Sequence, residues 1–139
     1  MEQEEKATWL LSPTILDWAP IRFGIMSSRT YPDPKPAIIV GDRVLNLGLL
    51  KKWDGFSLLK SIQPHLDVFD EPDLNAYAAL PSEVRSEVRQ YLQDMLIRDG
   101  PHAAALQDKL LIRAAVVFPV ADVVLHYPFK AHWLDAGVL

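Results

Sequence analysis

An α+β fold is predicted, and three observations predict it. Apolar runs at residues 23–26 (FGIM) and 37–40 (AIIV) flank a polar, proline-rich stretch at 27–36, and a third run, 43–47 (RVLNL), follows Gly41-Asp42. Val, Ile and Phe suit a pleated surface, so this is the pattern of a small β-meander. From Pro81 the apolar residues Val84, Val88, Tyr91, Leu92, Met95 and Leu96 recur at three- and four-residue steps, the period of one helix face. β-Branched residues then return at 114–118 and 120–125. Strands, then helices, then strands is an α+β order.

The elements follow along the chain. Residues 1–8 are expected to be a solvated tail, with Trp9, Leu10 and Leu11 the first side chains worth burying. Pro13 and Pro20 leave room for only a short helical turn carrying Ile15, Leu16 and Trp18. In the meander, Pro32, Pro34 and Pro36 lack the donor that a central strand needs and confine their segment to a loop or edge. Gly41-Asp42 is the tight turn, because Gly tolerates positive φ and Asp can bond its own backbone. Leu49, Leu50, Trp53, Phe56, Leu58, Leu59 and Ile62 are too closely spaced for alternation and read as short helices broken at Asp54-Gly55 and ended by Pro64. Glu71-Pro72-Asp73 reads as a helix start capped by Asp70, with Leu74, Tyr77 and Ala78 on one face.

The helix after Pro81 should bury Val88, Leu92 and Met95, leave Arg89 in solvent, and stop at Asp99-Gly100-Pro101. Residues 103–112 are expected to be helical in part. Residues 114–118 and 120–125 read as buried strands separated by Pro119, and 126–139 fit no regular element.

Composition narrows the function. The 139 residues are most simply one domain, and with half of them hydrophobic the chain can bury a core without staples. Fourteen Lys and Arg against 18 Asp and Glu give a formal charge of −4, which offers no basic field for a phosphate backbone, so no nucleic-acid partner is expected. The absence of cysteine excludes disulfides, thiolate catalysis and Cys-ligated zinc. The acidic start MEQEEKATW is unlike a secretory signal, and no apolar run approaches the roughly 18 residues of a membrane span. A cytoplasmic protein without a membrane partner is the expectation.

Chemistry is sparse. His126, Tyr127, His132 and Asp135 are the one cluster that combines a base, a hydroxyl and a carboxylate, which makes them the candidate catalytic residues, although a packed or frayed chain end accounts for them better. His65 and His102 stand alone, and the spacing of His126 and His132 matches no metal motif. Ser27-Ser28 invites a nucleophile reading but lacks the glycines of a nucleophile elbow, and a turn explains it as well. Asp67, Asp70, Glu71 and Asp73 lack the alternate-position oxygens and central Gly of a calcium loop and read as a solvated face with a helix cap. Trp9, Trp18, Trp53 and Trp133 could line a ligand site, although core positions suit large aromatics better. Neither a cofactor nor a metal is expected.

Five segments in order, FGIMSS, PKPAIIVGDRVLNL, LDVFDEPDLNAYAAL, EVRQYLQDML and LHYPFK, resemble the amino-terminal domain of the fumarylacetoacetase family, most closely its fungal members, over residues 9–130. The resemblance implies a small SH3-like β-barrel with attached helices. It also implies that the family's metal, catalytic histidine and pocket, which belong to a larger carboxyl-terminal domain, lie outside this sequence. The family continues past the His-x-Pro segment, here His126-Tyr127-Pro128, into the motif GDYTDFY, whose second Asp is a metal ligand. Aligned without a gap, Ala136 takes that place, and an alanine offers no oxygen to a hard cation. Residues 131–139 are thus expected to be a divergent tail, and metal-dependent hydrolysis of a β-diketone is not expected of this chain.

Three classes of function stay open. The chain could be a truncated, non-catalytic interaction or oligomerisation module, with a second copy or a full-length fumarylacetoacetase-like protein as partner. It could be a repurposed metal-free isomerase, cyclase or hydrolase acting on a diketone- or polyketide-like molecule. It could be a small-molecule-binding module. The crowding of Val117, Phe118, Val120, Val123, Val124, Leu125, Phe129, Trp133 and Leu134 near the end predicts a homo-oligomer, with Phe129 and Trp133 as anchors.

Overall fold

The computed structural model of the chain describes residues 21–96 and 110–129. The expected tails, the turn between Pro13 and Pro20, the stop at Asp99-Gly100-Pro101, and residues Trp9, Trp18, His102, Trp133, His132 and Asp135 lie outside these bounds. Five strands form one antiparallel sheet: β1 (Arg22–Ser28), β2 (Lys35–Val40), β3 (Arg43–Asn46), β4 (Val117–Pro119) and β5 (Val123–His126), in the order β4-β3-β2-β1-β5. Helices α1 (Leu47–Lys52), α2 (Asn75–Ala78), α3 (Ser82–Leu96) and α4 (Leu110–Val116), with a long 3₁₀ segment (Lys60–Asp70) and a short one (Val120–Asp122), complete the described elements.

The expected meander is present. Val40 pairs with Arg43 across Gly41-Asp42, and Gly41 takes φ +58°, a conformation costly for a side chain with a Cβ. The sheet must curl, because β4 and β5 occupy its opposite edges yet are joined only by Val120–Asp122 in a 3₁₀ turn. Five flat strands would set those edges about 19 Å apart, whereas a 3₁₀ connection of this length advances only about 8 Å. Both strands run antiparallel to their neighbours, so β4 and β5 are two halves of one path that adds to both edges of a half-barrel. The corner is pinned where the Val120 N–H donates to the Asp42 carbonyl at 2.9 Å.

The imperfect alternation of the strands has a structural cause, since both faces of the sheet bury apolar groups. Ile25, Ile38, Val40 and Leu45 join the main core beneath the helices. Met26, Ala37 and Val44 form a second cluster with Ile39, Phe118 and Val123. The main core continues through Leu47 and Leu50 of α1 to Phe56, whose ring stacks on Phe69 at 4.5 Å and lies 6.0 Å from Tyr91. As expected, α3 buries Val88, Leu92 and Met95, together with Tyr91 and Leu96.

Several expectations are corrected. Pro64 does not end its block but sits inside the 3₁₀ segment, whose poorer hydrogen bonding is less disturbed by a missing donor. Helix α2 starts at Asn75 rather than Glu71, and Asp73, not Asp70, bonds the Asn75 N–H, at 3.0 Å. Asp70 instead pairs with Lys51. Residues 114–116 continue α4 rather than opening a strand, and Val120, Val124 and Leu125 are exposed, not buried. Trp53 is exposed beyond the end of α1, so it is neither core nor the wall of an enclosed site. Arg89 is half-buried, donates to the Ile21 carbonyl at 2.7 Å and lies over the Phe23 ring at 5.8 Å, so it is no free surface residue.

Candidate functional site

The antiparallel pairing of β1 with β5 brings together two residues 99 positions apart: Ser27 Oγ and His126 Nε2 share a hydrogen bond of 2.7 Å. This joins two readings that the sequence offered separately, a serine nucleophile and a histidine base. A working nucleophile also needs a group to orient the base and donors for an oxyanion. No hydrogen bond to His126 Nδ1 is formed among the described residues, and the imidazole lies at an exposed sheet edge. Ser28 is the last residue of β1 and accepts from the Tyr31 N–H at 3.1 Å in the reversal that follows. Tyr127 points into solvent at 91% exposure, and His65 is half-buried.

The acidic run is spent on structure. Lys51 bridges Asp70 and, at 3.9 Å, Asp67, while Lys35 donates to the Asp70 carbonyl at 2.7 Å. Lys35, Lys51 and Asp70 border a groove of about 420 Å³ with Tyr31, Asn46 and Lys52. Asn46 is buried because its side-chain carbonyl accepts from the Leu49 N–H at 2.9 Å and caps α1. No group of three or more His, Asp or Glu that could hold a metal exists among the described residues, so the donor set there does not fit a metal centre.

A second groove, about 370 Å³, lies between β1, α2 and α3. Phe23 and Tyr77 stack in it at 5.1 Å, and Arg85 and Arg89 project from successive turns of α3. Phe129 closes one end, reached because the Leu74 N–H donates to the Pro128 carbonyl at 2.7 Å. Burial pushes the Tyr77 hydroxyl up to about 12, against the opposing pull of the Arg85 and Arg89 guanidiniums. The unfolded tyrosine loses its proton near pH 10, so the associated stability is whole below about pH 10 and falls as pH rises towards about 12, by up to about 3 kcal/mol. Urea melts across that range should show the decline, and Tyr77→Phe should flatten part of it. Tyr91, raised for the same reason, would retain the rest.

The third feature is the β5 edge. Val124, Leu125, Tyr127 and Phe129 are 59, 50, 91 and 53% exposed, a run of apolar and aromatic groups along and just beyond a strand that, among the described residues, pairs only with β1.

A curled sheet backed by helices, carrying surface grooves and an apolar edge, defines an α+β module with no assembled triad or metal cluster among the described residues. Comparison with known proteins gives its family. The family model described as Fumarylacetoacetase N-terminal matches residues 20–128. The chain is 40% identical over 124 residues to Fumarylacetoacetase fahA of Aspergillus fumigatus and 37% identical over 126 residues to the Fumarylacetoacetase of Emericella nidulans. It is 29% identical over 106 residues to the human Fumarylacetoacetase. These alignments cover 88, 89 and 76% of this chain but only 29, 29 and 24% of the relatives. The chain belongs to the fumarylacetoacetase N-terminal family, and it spans less than a third of the length of the curated relatives it matches. No described helix is long and apolar enough to cross a membrane.

Proposed function

We propose that this chain is a non-catalytic interaction and oligomerisation module of the fumarylacetoacetase type, and that it associates with a second copy of itself through the β5 edge. The observation that carries this reading is the exposed run Val124, Leu125, Tyr127 and Phe129. An unpaired strand edge is a template for another strand, and natural proteins usually blunt such edges with charge, whereas this one carries apolar groups. The family match ends at residue 128, two residues after β5. A standard interface covers about 800 Å² per partner, more than a four-residue strand supplies, so Tyr127 and Phe129 must belong to the contact. The same edge would receive a full-length fumarylacetoacetase-like protein. An SH3-like barrel that stays open at the β5 edge and a cytoplasmic setting belong to this reading.

Light scattering at micromolar concentration tests it. The wild type should be a dimer or larger, and Leu125→Lys, which sets a charge on the edge, should yield monomers with an unchanged melting temperature. A monomeric wild type would overturn the reading.

A second reading, a metal-free enzyme acting by proton transfer on a diketone-like molecule, is favoured by the Ser27–His126 contact, with Tyr127, His132 and Asp135 as the remaining candidates. Deuterium incorporation into a 1,3-diketone faster than in buffer, and lost in His126→Gln, would establish it.

A further inference from the structure

Arg85 and Arg89 stand one helical turn apart on α3 and enter the same groove. Like charges at this spacing disfavour a helix slightly, so an ion partner for each would be expected. Neither guanidinium has a carboxylate within 4.0 Å among the described residues, even though Glu83 and Glu87 lie on the same helix. Their hydrogen bonds go to main-chain carbonyls: Arg85 Nε donates to Leu80 at 3.2 Å and one Arg89 amino group donates to Ile21 at 2.7 Å. Both Nη groups of Arg85 and the remaining donors of Arg89 are left for a partner. Those two bonds hold the guanidiniums in place, which reduces the ordering cost of binding.

The rest of the groove is flat and apolar. Phe23 and Tyr77 lie within 22° of parallel, and Leu74 and Phe129 complete the walls. Its volume of about 370 Å³ suits a small molecule rather than a peptide helix. Tyr77 keeps its proton in the groove and so adds no negative charge to oppose an anion. Two planar cation forks match a carboxylate, whose paired oxygens accept bidentate bonds, and the aromatic walls call for a flat body attached to it.

We propose that the groove between β1, α2 and α3 binds a small aryl carboxylate, the carboxylate held by Arg85 and Arg89 and the ring lying against Phe23, Tyr77 and Phe129. The groove shares Phe129 with the proposed edge contact, but Arg85, Arg89, Phe23 and Tyr77 lie outside β5, so a monomeric chain would still bind.

Calorimetric titration of the full chain with benzoate, inorganic phosphate and benzyl alcohol tests both halves of the proposal. Benzoate should bind one-to-one and at least about tenfold more tightly than either of the others, since charge-assisted bonds and ring contact act together only on it. Arg85→Gln should weaken benzoate by about tenfold or more, and Arg85→Lys should also weaken it, because the charge survives but the fork is lost. Glu87→Gln should leave binding unchanged. Equal binding of benzoate and benzyl alcohol would remove the anion site, and equal binding of benzoate and phosphate would remove the aromatic one. An Arg85→Gln protein that melts like the wild type and binds benzoate as tightly would overturn the assignment. If that variant melts early, the wild-type NMR spectrum decides: benzoate must shift the Nε–Hε signals of Arg85 and Arg89, and unmoved signals would refute the site.

Discussion

Phe56→Ala is expected to destabilise the chain by about 3–5 kcal/mol, the range for emptying a buried aromatic site. The ring is fully buried, parallel to Phe69 within 1° at 4.5 Å and tilted against Tyr91. Collapse into the space is opposed from two sides. The preceding residue, Gly55, is fixed by its N–H bond to the Leu50 carbonyl at 2.8 Å and by the Tyr91 hydroxyl, which donates to its carbonyl. A domain of this size has only about 5–15 kcal/mol to lose, so the variant should be largely unfolded well below the wild-type midpoint. Urea melts followed by circular dichroism measure it. A loss below about 1 kcal/mol would mean that the stack does not organise the core.

Leu92→Ala should cost about 2–5 kcal/mol by the same mechanism, because Leu92 is fully buried at the centre of the α3 stripe between Val88 and Met95. The contrast must be drawn with a residue that touches nothing. The sequence suggests Arg89, but its bond to the Ile21 carbonyl and its place over Phe23 make its removal consequential. Exposed Glu87 is the proper control, and Glu87→Ala should stay within about 0.5 kcal/mol of the wild type. Equal, small losses for both variants would mean that a different face of α3 is buried.

What was legible in the sequence was what local chemistry decides. The Gly41-Asp42 reversal and the α3 stripe were readable because φ tolerance and the 3.6-residue period act over a few positions. Pro64 misled because a proline forbids less in a 3₁₀ segment than in an α-helix. At residues 114–116 the strand reading carried the β-branched bias of the following residues too far back, since Ala114 and Ala115 are strong helix formers and α4 runs on to Val116. Asp73 bonds the first amide of α2 in place of Asp70, which Lys51, contributed by α1, claims.

The candidate sites were the least legible part. Ser27 and His126 meet only through the β1–β5 register, 99 positions apart. The Arg85–Arg89 spacing stands openly in EVRSEVRQ, but nothing local says that Phe23 and Phe129 complete a groove around it. The apolar run near the chain end was visible as composition. That its Val124 and Leu125 lie exposed on an edge strand, and not in a core, required the sheet order.

The central claim, that the β5 edge is an association surface, is tested most directly by amide hydrogen exchange of Val123–His126 at low and high protein concentration. β1 occupies one side of this strand and no other described strand pairs with it, so in the proposed monomer the amides turned away from β1 should exchange. The account predicts that these amides, and the segment through Phe129, become protected as concentration rises while α3 does not change. Exchange at this edge that is the same at every concentration would contradict it.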